Sequence, residues 1–120
     1  MPKLKLELEA VTVREYELSD EPLFIGRHPS NAIVLDDSTV SGRHAAILPE
    51  PSPYLDHGLQ FFIEDLDSTN GTLINGLPLK RKTLLSNNDQ IQVGRQLLVF
   101  VDETATDPGR TDILLPDDPD

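Results

Sequence analysis

The sequence predicts an all-β protein, a sandwich of two antiparallel sheets. Short runs of strand-forming residues recur along the chain, and turn residues separate them roughly every eight to twelve positions. No segment holds an i, i+3, i+4, i+7 apolar pattern long enough for a substantial helix. Taken in order, Leu4, Leu6 and Leu8 alternate with Lys5, Glu7 and Glu9, the pattern of a half-buried, edge-like strand. Val11 to Leu18 has strand composition and partial alternation. Shorter apolar runs follow at Leu23–Ile25, Ala32–Leu35, Ala45–Leu48, Phe61–Leu66, Leu73–Ile74, Ile91–Val93 and Leu97–Val101. Between them, residues 49–58 (Pro-Glu-Pro-Ser-Pro-Tyr-Leu-Asp-His-Gly) read as a surface loop, because proline withholds the N–H that a ladder needs. After Val101 the chain turns acidic and loses aromatic residues, so residues 1–102 are expected to form one domain and 103–120 a disordered tail.

A length of 120 residues suits one domain with a single modest core. The absence of cysteine excludes disulfides, thiolate metal sites and cysteine catalysis. No apolar run reaches the ~18 residues of a membrane span, and Met1-Pro2-Lys3-Leu4-Lys5 lacks a signal-peptide core, so a cytoplasmic protein is expected. The net charge of −11 argues against broad binding to nucleic acid or to an anionic membrane. Six acids against Arg110 give the tail −5, and fifteen acids against nine bases leave −6 on the remainder. A local cluster of arginines can still hold an anion on such a body.

Four polar clusters lie beside predicted strands. Gly26-Arg27 follows a strand, and an arginine there can grip a phosphate with two parallel hydrogen bonds. Ser41-Gly42-Arg43-His44 opens the next strand, where a hydroxyl and backbone N–H groups can ring an oxyanion. Ser68-Thr69-Asn70-Gly71-Thr72 has turn composition, and Asn70 carries both donors and an acceptor suited to a peptide backbone. Asn75-Gly76 is a hairpin signal expected to make a turn and touch no ligand. Lys80-Arg81-Lys82 reads as a solvated face. A hydrolase built on Ser41 and His44 with Asp65 or Asp67 is disfavoured, since the serine lacks a Gly-x-Ser-x-Gly elbow. His28 and His57 offer no metal-ligand spacing with His44.

Taken in register, Gly26-Arg27, Ser41-x-x-His44, Thr69-Asn70-Gly71 and Asn75-Gly76 resemble the forkhead-associated (FHA) domain over about Leu4 to Val101. The stretch from Leu84 to Gly94 is similar to that family's penultimate strand pair. The resemblance implies a sandwich of about eleven strands whose apical loops bind phosphothreonine peptides. It implies that Arg27 and Ser41 contact the phosphate, that Thr69 helps form the pocket for phosphate and γ-methyl, and that Asn70 holds the peptide main chain. Gly26, His44 and Gly71 would shape the loops, with His44 buttressing the site. Gly42 stands where many members carry Arg, Lys or Asn, so only its backbone N–H can serve, and Arg43 is the neighbour placed to compensate. Asn88 replaces a frequent glycine before Asp89, a substitution that Asn's tolerance of positive φ makes harmless.

The expected function is therefore an adaptor that binds a phosphothreonine-containing protein, a Ser/Thr kinase or its substrate, without enzymatic activity, cofactor or metal. The alternative is a phospho-independent interaction or scaffold domain on the same fold. The tail adds a further expectation: phosphorylated Thr104, Thr106 or Thr111 could dock into the protein's own site or a neighbour's.

Overall fold

The computed structural model describes residues 2–9, 11–53 and 58–102. Eleven strands form two sheets, with no helix among the described residues. The strands are β1 (Lys3–Leu8), β2 (Val11–Glu17), β3 (Leu23–Gly26), β4 (Ile33–Val34), β5 (Ala45–Pro51), β6 (Leu59–Asp65), β7 (Thr72–Ile74), β8 (Leu77–Pro78), β9 (Thr83–Leu84), β10 (Gln90–Val93) and β11 (Gln96–Val101). One sheet runs β2-β1-β11-β10-β7-β8 and the other β4-β3-β5-β6-β9. Every pairing is antiparallel except β3–β4, where Ile25 lies opposite Ile33 and Gly26 opposite Val34. The core between the sheets is aliphatic, centred on Leu4, Ile25, Ile33, Ile47, Ile63, Ile91, Val93 and Leu98, with Phe61 and Phe100 in a tilted ring contact at 6.0 Å.

The expected β-sandwich is present, and its details correct several local expectations. β1 is not an edge strand. It lies between β2 and β11, and β2 takes the edge with Val11 61 % exposed. Leu4 is fully buried and Leu6 packs against the core, but Leu8 at the strand's end is exposed, so the three-leucine alternation serves the core only through its first two members. The proline-rich segment also begins later than its composition implies, because β5 continues through Pro49 and Pro51 opposite Phe61 and Leu59. Phe61 directs its carbonyl to the Leu85 N–H on the far side of β6. Pro49 therefore occupies a non-hydrogen-bonded pair, where its missing donor is not needed. β8 and β9, of two residues each, carry too little apolar pattern to be read in advance. The Leu84–Gly94 stretch does not form one paired unit: β9 joins β6 in one sheet and β10 joins β7 and β11 in the other. Asn88 takes a positive φ of 73°, as its side chain permits. The tail, including Thr104, Thr106 and Thr111, lies outside the described residues.

Candidate functional site

The antiparallel β3–β5 pair, with Ile25 opposite Ala45, brings the segment after Gly26 and the segment before Ala45 to one end of the molecule, where backbone bonds join them. Arg27 N–H donates to Ser41 O at 2.9 Å and His28 N–H to Gly42 O at 3.1 Å. This approach requires a glycine at position 26, since a Cβ there would stand 2.3 Å from Gly42 O and 2.9 Å from Arg43 Cα. Asn31, buried beneath the two loops, donates its amide to both His28 O and Gly42 O at 2.7 Å. Its own Oδ1 is buried with no partner among the described residues, a desolvation penalty accepted in holding the two carbonyls together.

The loop after β6 joins from the other side. The Thr69 N–H donates to Ser41 Oγ at 3.0 Å, and Asn70 Nδ2 donates to Thr39 O at 2.9 Å. Arg27, Ser41, Thr69 and Asn70 are thus gathered at one rim, with Arg27, Thr69 and Asn70 exposed and Ser41 half-buried. His44 lies beneath them, fully buried. The Ser41 N–H donates to its Nδ1 at 3.0 Å, so that nitrogen carries no proton, and Nε2–H donates to Gly71 O at 2.8 Å. One imidazole thereby clamps two loops together. The same bonds rule out a Ser41–His44 relay, because it is the serine's backbone and not its hydroxyl that meets the ring.

Two carboxylates that sequence reasoning left out of the site organise these loops. Asp65 accepts the Ser68 hydroxyl at 2.5 Å, the Ser68 N–H at 3.1 Å and the Thr72 hydroxyl at 2.7 Å. Burial works against its ionisation, but the Ser68 and Thr72 hydrogen bonds outweigh burial and hold the carboxyl below its usual range. Asp37 accepts the Thr39 hydroxyl at 2.6 Å, the Thr39 N–H at 2.8 Å and Gln96 Nε2 at 3.0 Å, and it pairs with Arg95 at 3.5 Å. The bonds from Thr39, then that from Gln96, set its carboxyl well below the carboxylate norm. Thr39 in turn offers its carbonyl to Asn70. Both motifs carry a local signal, an aspartate followed two or three residues later by a hydroxyl that closes an Asx-type turn. Asn31 carries no such signal.

Depressed carboxyl groups give stability that is complete above their unfolded value of 3.8 and is lost as the pH falls below it. Urea unfolding is expected to show stability level near neutrality and declining below about pH 4. Asp65→Asn is expected to lower stability at pH 7 and to flatten that acid decline. An acid decline equally steep in the variant would remove Asp65 as a cause.

Other assigned residues stand apart from this cluster. Arg43 lays its guanidinium over the Phe24 ring, 4.4 Å from the centroid, and with His28, Ser30 and Gly42 it lines a neighbouring depression of about 350 Å³. Gly42 is exposed, with open space where a Cβ would project. Asn75 and Gly76 have φ of 50° and 85° and form the β7–β8 turn. Asn75 also ties this turn to β10, donating to Asp89 Oδ1 at 3.0 Å and accepting the Gln90 N–H at 2.9 Å.

A two-sheet sandwich that gathers an arginine, a serine hydroxyl and an asparagine amide on loops at one end has the build of a loop-end recognition module. The FHA domain model matches residues 23–94, more than half of the sequence, and the chain belongs to the FHA domain family. It is similar to the oxoglutarate dehydrogenase inhibitor of Corynebacterium jeikeium, 43 % identical over 84 residues that cover 70 % of this chain and 53 % of that protein. It is also similar to the glycogen accumulation regulator GarA of Mycolicibacterium smegmatis, 41 % identical over 85 residues covering 70 % of this chain and 49 % of that one. The chain thus spans about half the length of the curated relatives it matches. Among solved structures, an FHA domain studied for phosphothreonine-dependent interactions superimposes with a TM-score of 0.71 at 27 % identity, covering 85 % of this chain and 96 % of that one.

Proposed function

We propose that residues 1–102 bind phosphothreonine-containing protein at the Arg27–Ser41–Thr69–Asn70 rim, as a cytoplasmic adaptor in Ser/Thr kinase signalling. The observation that carries this reading is the state of Ser41. Its Oγ already accepts the Thr69 N–H, which fixes the hydroxyl and leaves its O–H to donate to an incoming oxyanion. Arg27 is exposed beside it, with no carboxylate in salt-bridge distance among the described residues. Asn70 spends one amide hydrogen on Thr39 O and keeps its second hydrogen and its Oδ1 for a peptide main chain. The likeness to a phosphothreonine-dependent FHA domain and to proteins named as an inhibitor and a regulator supports binding in place of catalysis.

A phosphothreonine brings about −1.5 to −2 charges at neutral pH. Three or four charge-assisted hydrogen bonds at roughly 1.5–3 kcal/mol each, less the losses of association, give a Kd on the order of 1 μM. The test is a pair of peptides identical except for one phosphate. Capture of the phosphorylated member alone is expected. Equal capture of both would favour the phospho-independent scaffold, a reading to which the bare backbone at Gly42 lends support.

A further inference from the structure

The depression lined by His28, Ser30, Gly42 and Arg43 has a composition at odds with the molecule around it. The chain carries 21 acids against 10 bases, yet among the described residues no carboxylate lines this hollow. Its polar groups are donors whose positions are already set. Arg43 is exposed and has no carboxylate in salt-bridge distance among the described residues, while Phe24 supports its guanidinium from below. His28 Nδ1 accepts the Ser30 N–H at 3.1 Å and meets the Ser30 hydroxyl at 2.8 Å, which places the ring proton on the exposed Nε2. None of the described hydrogen bonds uses the Gly42 N–H, and no side chain at that position covers the hollow.

The hollow is continuous in sequence with the rim: Gly42 follows Ser41, and His28 follows Arg27. We propose that it is a second anion subsite, which takes the carboxylate of an acidic residue flanking the phosphothreonine in the partner. This assignment rests on the phosphothreonine reading above. The chemistry follows from the donors: a guanidinium can hold a carboxylate through two parallel bonds, and Nε2–H and a backbone N–H add single ones. A basic flanking residue would meet Arg43 head-on and be rejected. A second phosphate offers the same chemistry as a carboxylate, so the experiment distinguishes the two sources.

Phosphothreonine peptides with one aspartate or glutamate, scanned through the positions on either side of the phosphothreonine, are titrated against the protein beside versions carrying asparagine or glutamine, lysine, and phosphoserine there. At one flanking position the acid is expected to bind about tenfold tighter than its amide, a preference that shrinks with added salt. In Arg43→Gln the acid-to-amide ratio is expected to fall towards one, and Arg43→Lys to recover part of it. Thermal unfolding of both variants verifies that they are folded. A gain for phosphoserine without a gain for the carboxylates would make a second phosphate the natural occupant of the same subsite. Equal affinity for acid, amide and lysine peptides overturns the proposal and leaves phosphothreonine recognition standing, and an undiminished ratio in Arg43→Gln removes this hollow as its source. Failure to bind any phosphothreonine peptide overturns the primary reading instead, and this subsite with it.

Discussion

Arg27→Ala is expected to abolish calorimetrically measurable binding of a phosphothreonine peptide while changing folding stability by less than about 0.5 kcal/mol. The separation follows from what each part of the residue does. Its backbone N–H, which alanine keeps, joins the loop to Ser41 O. Its exposed side chain makes no described hydrogen bond or ion pair within the protein that the substitution would break. A guanidinium holding a phosphate through two charge-assisted bonds loses roughly 3–6 kcal/mol when truncated. Taken from about 8 kcal/mol at micromolar affinity, that leaves a Kd of about a tenth of a millimolar at best and far weaker at the other limit. Affinity within a few-fold of the parent would remove Arg27 from the site.

His44→Ala is expected to do the reverse, destabilising the protein by roughly 3–5 kcal/mol and lowering its melting temperature by well over 10 °C. The ring is fully buried, so truncation leaves a cavity. It also orphans two backbone groups, the Ser41 N–H and the Gly71 carbonyl, which belong to two different loops. Most domains are stable by only about 5–15 kcal/mol, so this loss removes a large share of the total. Differential scanning calorimetry is the measurement, and a melting temperature within a few degrees of the parent would show that the clamp is dispensable. The pair of variants separates the residue that grips from the residue that holds the gripping loops.

Much of this was legible in the sequence because it depends on local rules. Strand alternation at Ile91 and Val93, the Asn75-Gly76 turn, and the Asn88 positive φ need only a few neighbouring residues to specify them. The rim residues were legible as polar clusters beside strands, and the structure gathers Arg27, Ser41, Thr69 and Asn70 through hydrogen bonds between loops. What stayed hidden depends on partners distant in the chain. Whether β1 or β2 forms the edge is decided by β11 pairing with Lys3–Glu7, almost a chain length away. Whether Pro49 can sit in a strand depends on Phe61 giving its carbonyl to Leu85. Whether Arg43 turns towards the phosphate place beside Ser41 or away from it could not be read locally, and its guanidinium lies over the Phe24 ring and lines the neighbouring hollow. Asn31 is a solvent-type residue in any local reading, and only the crossing of two loops buries it.

The buried ties beneath the rim have a consequence for how such a surface can change over generations. Asp37, Asp65, His44 and Asn31 anchor the loops from inside through backbone atoms and short polar side chains, independently of what projects outward. Exchanges at Gly42, Arg43 or His28 therefore leave the scaffold's geometry in place, and the module can acquire new clients by altering its outermost side chains alone.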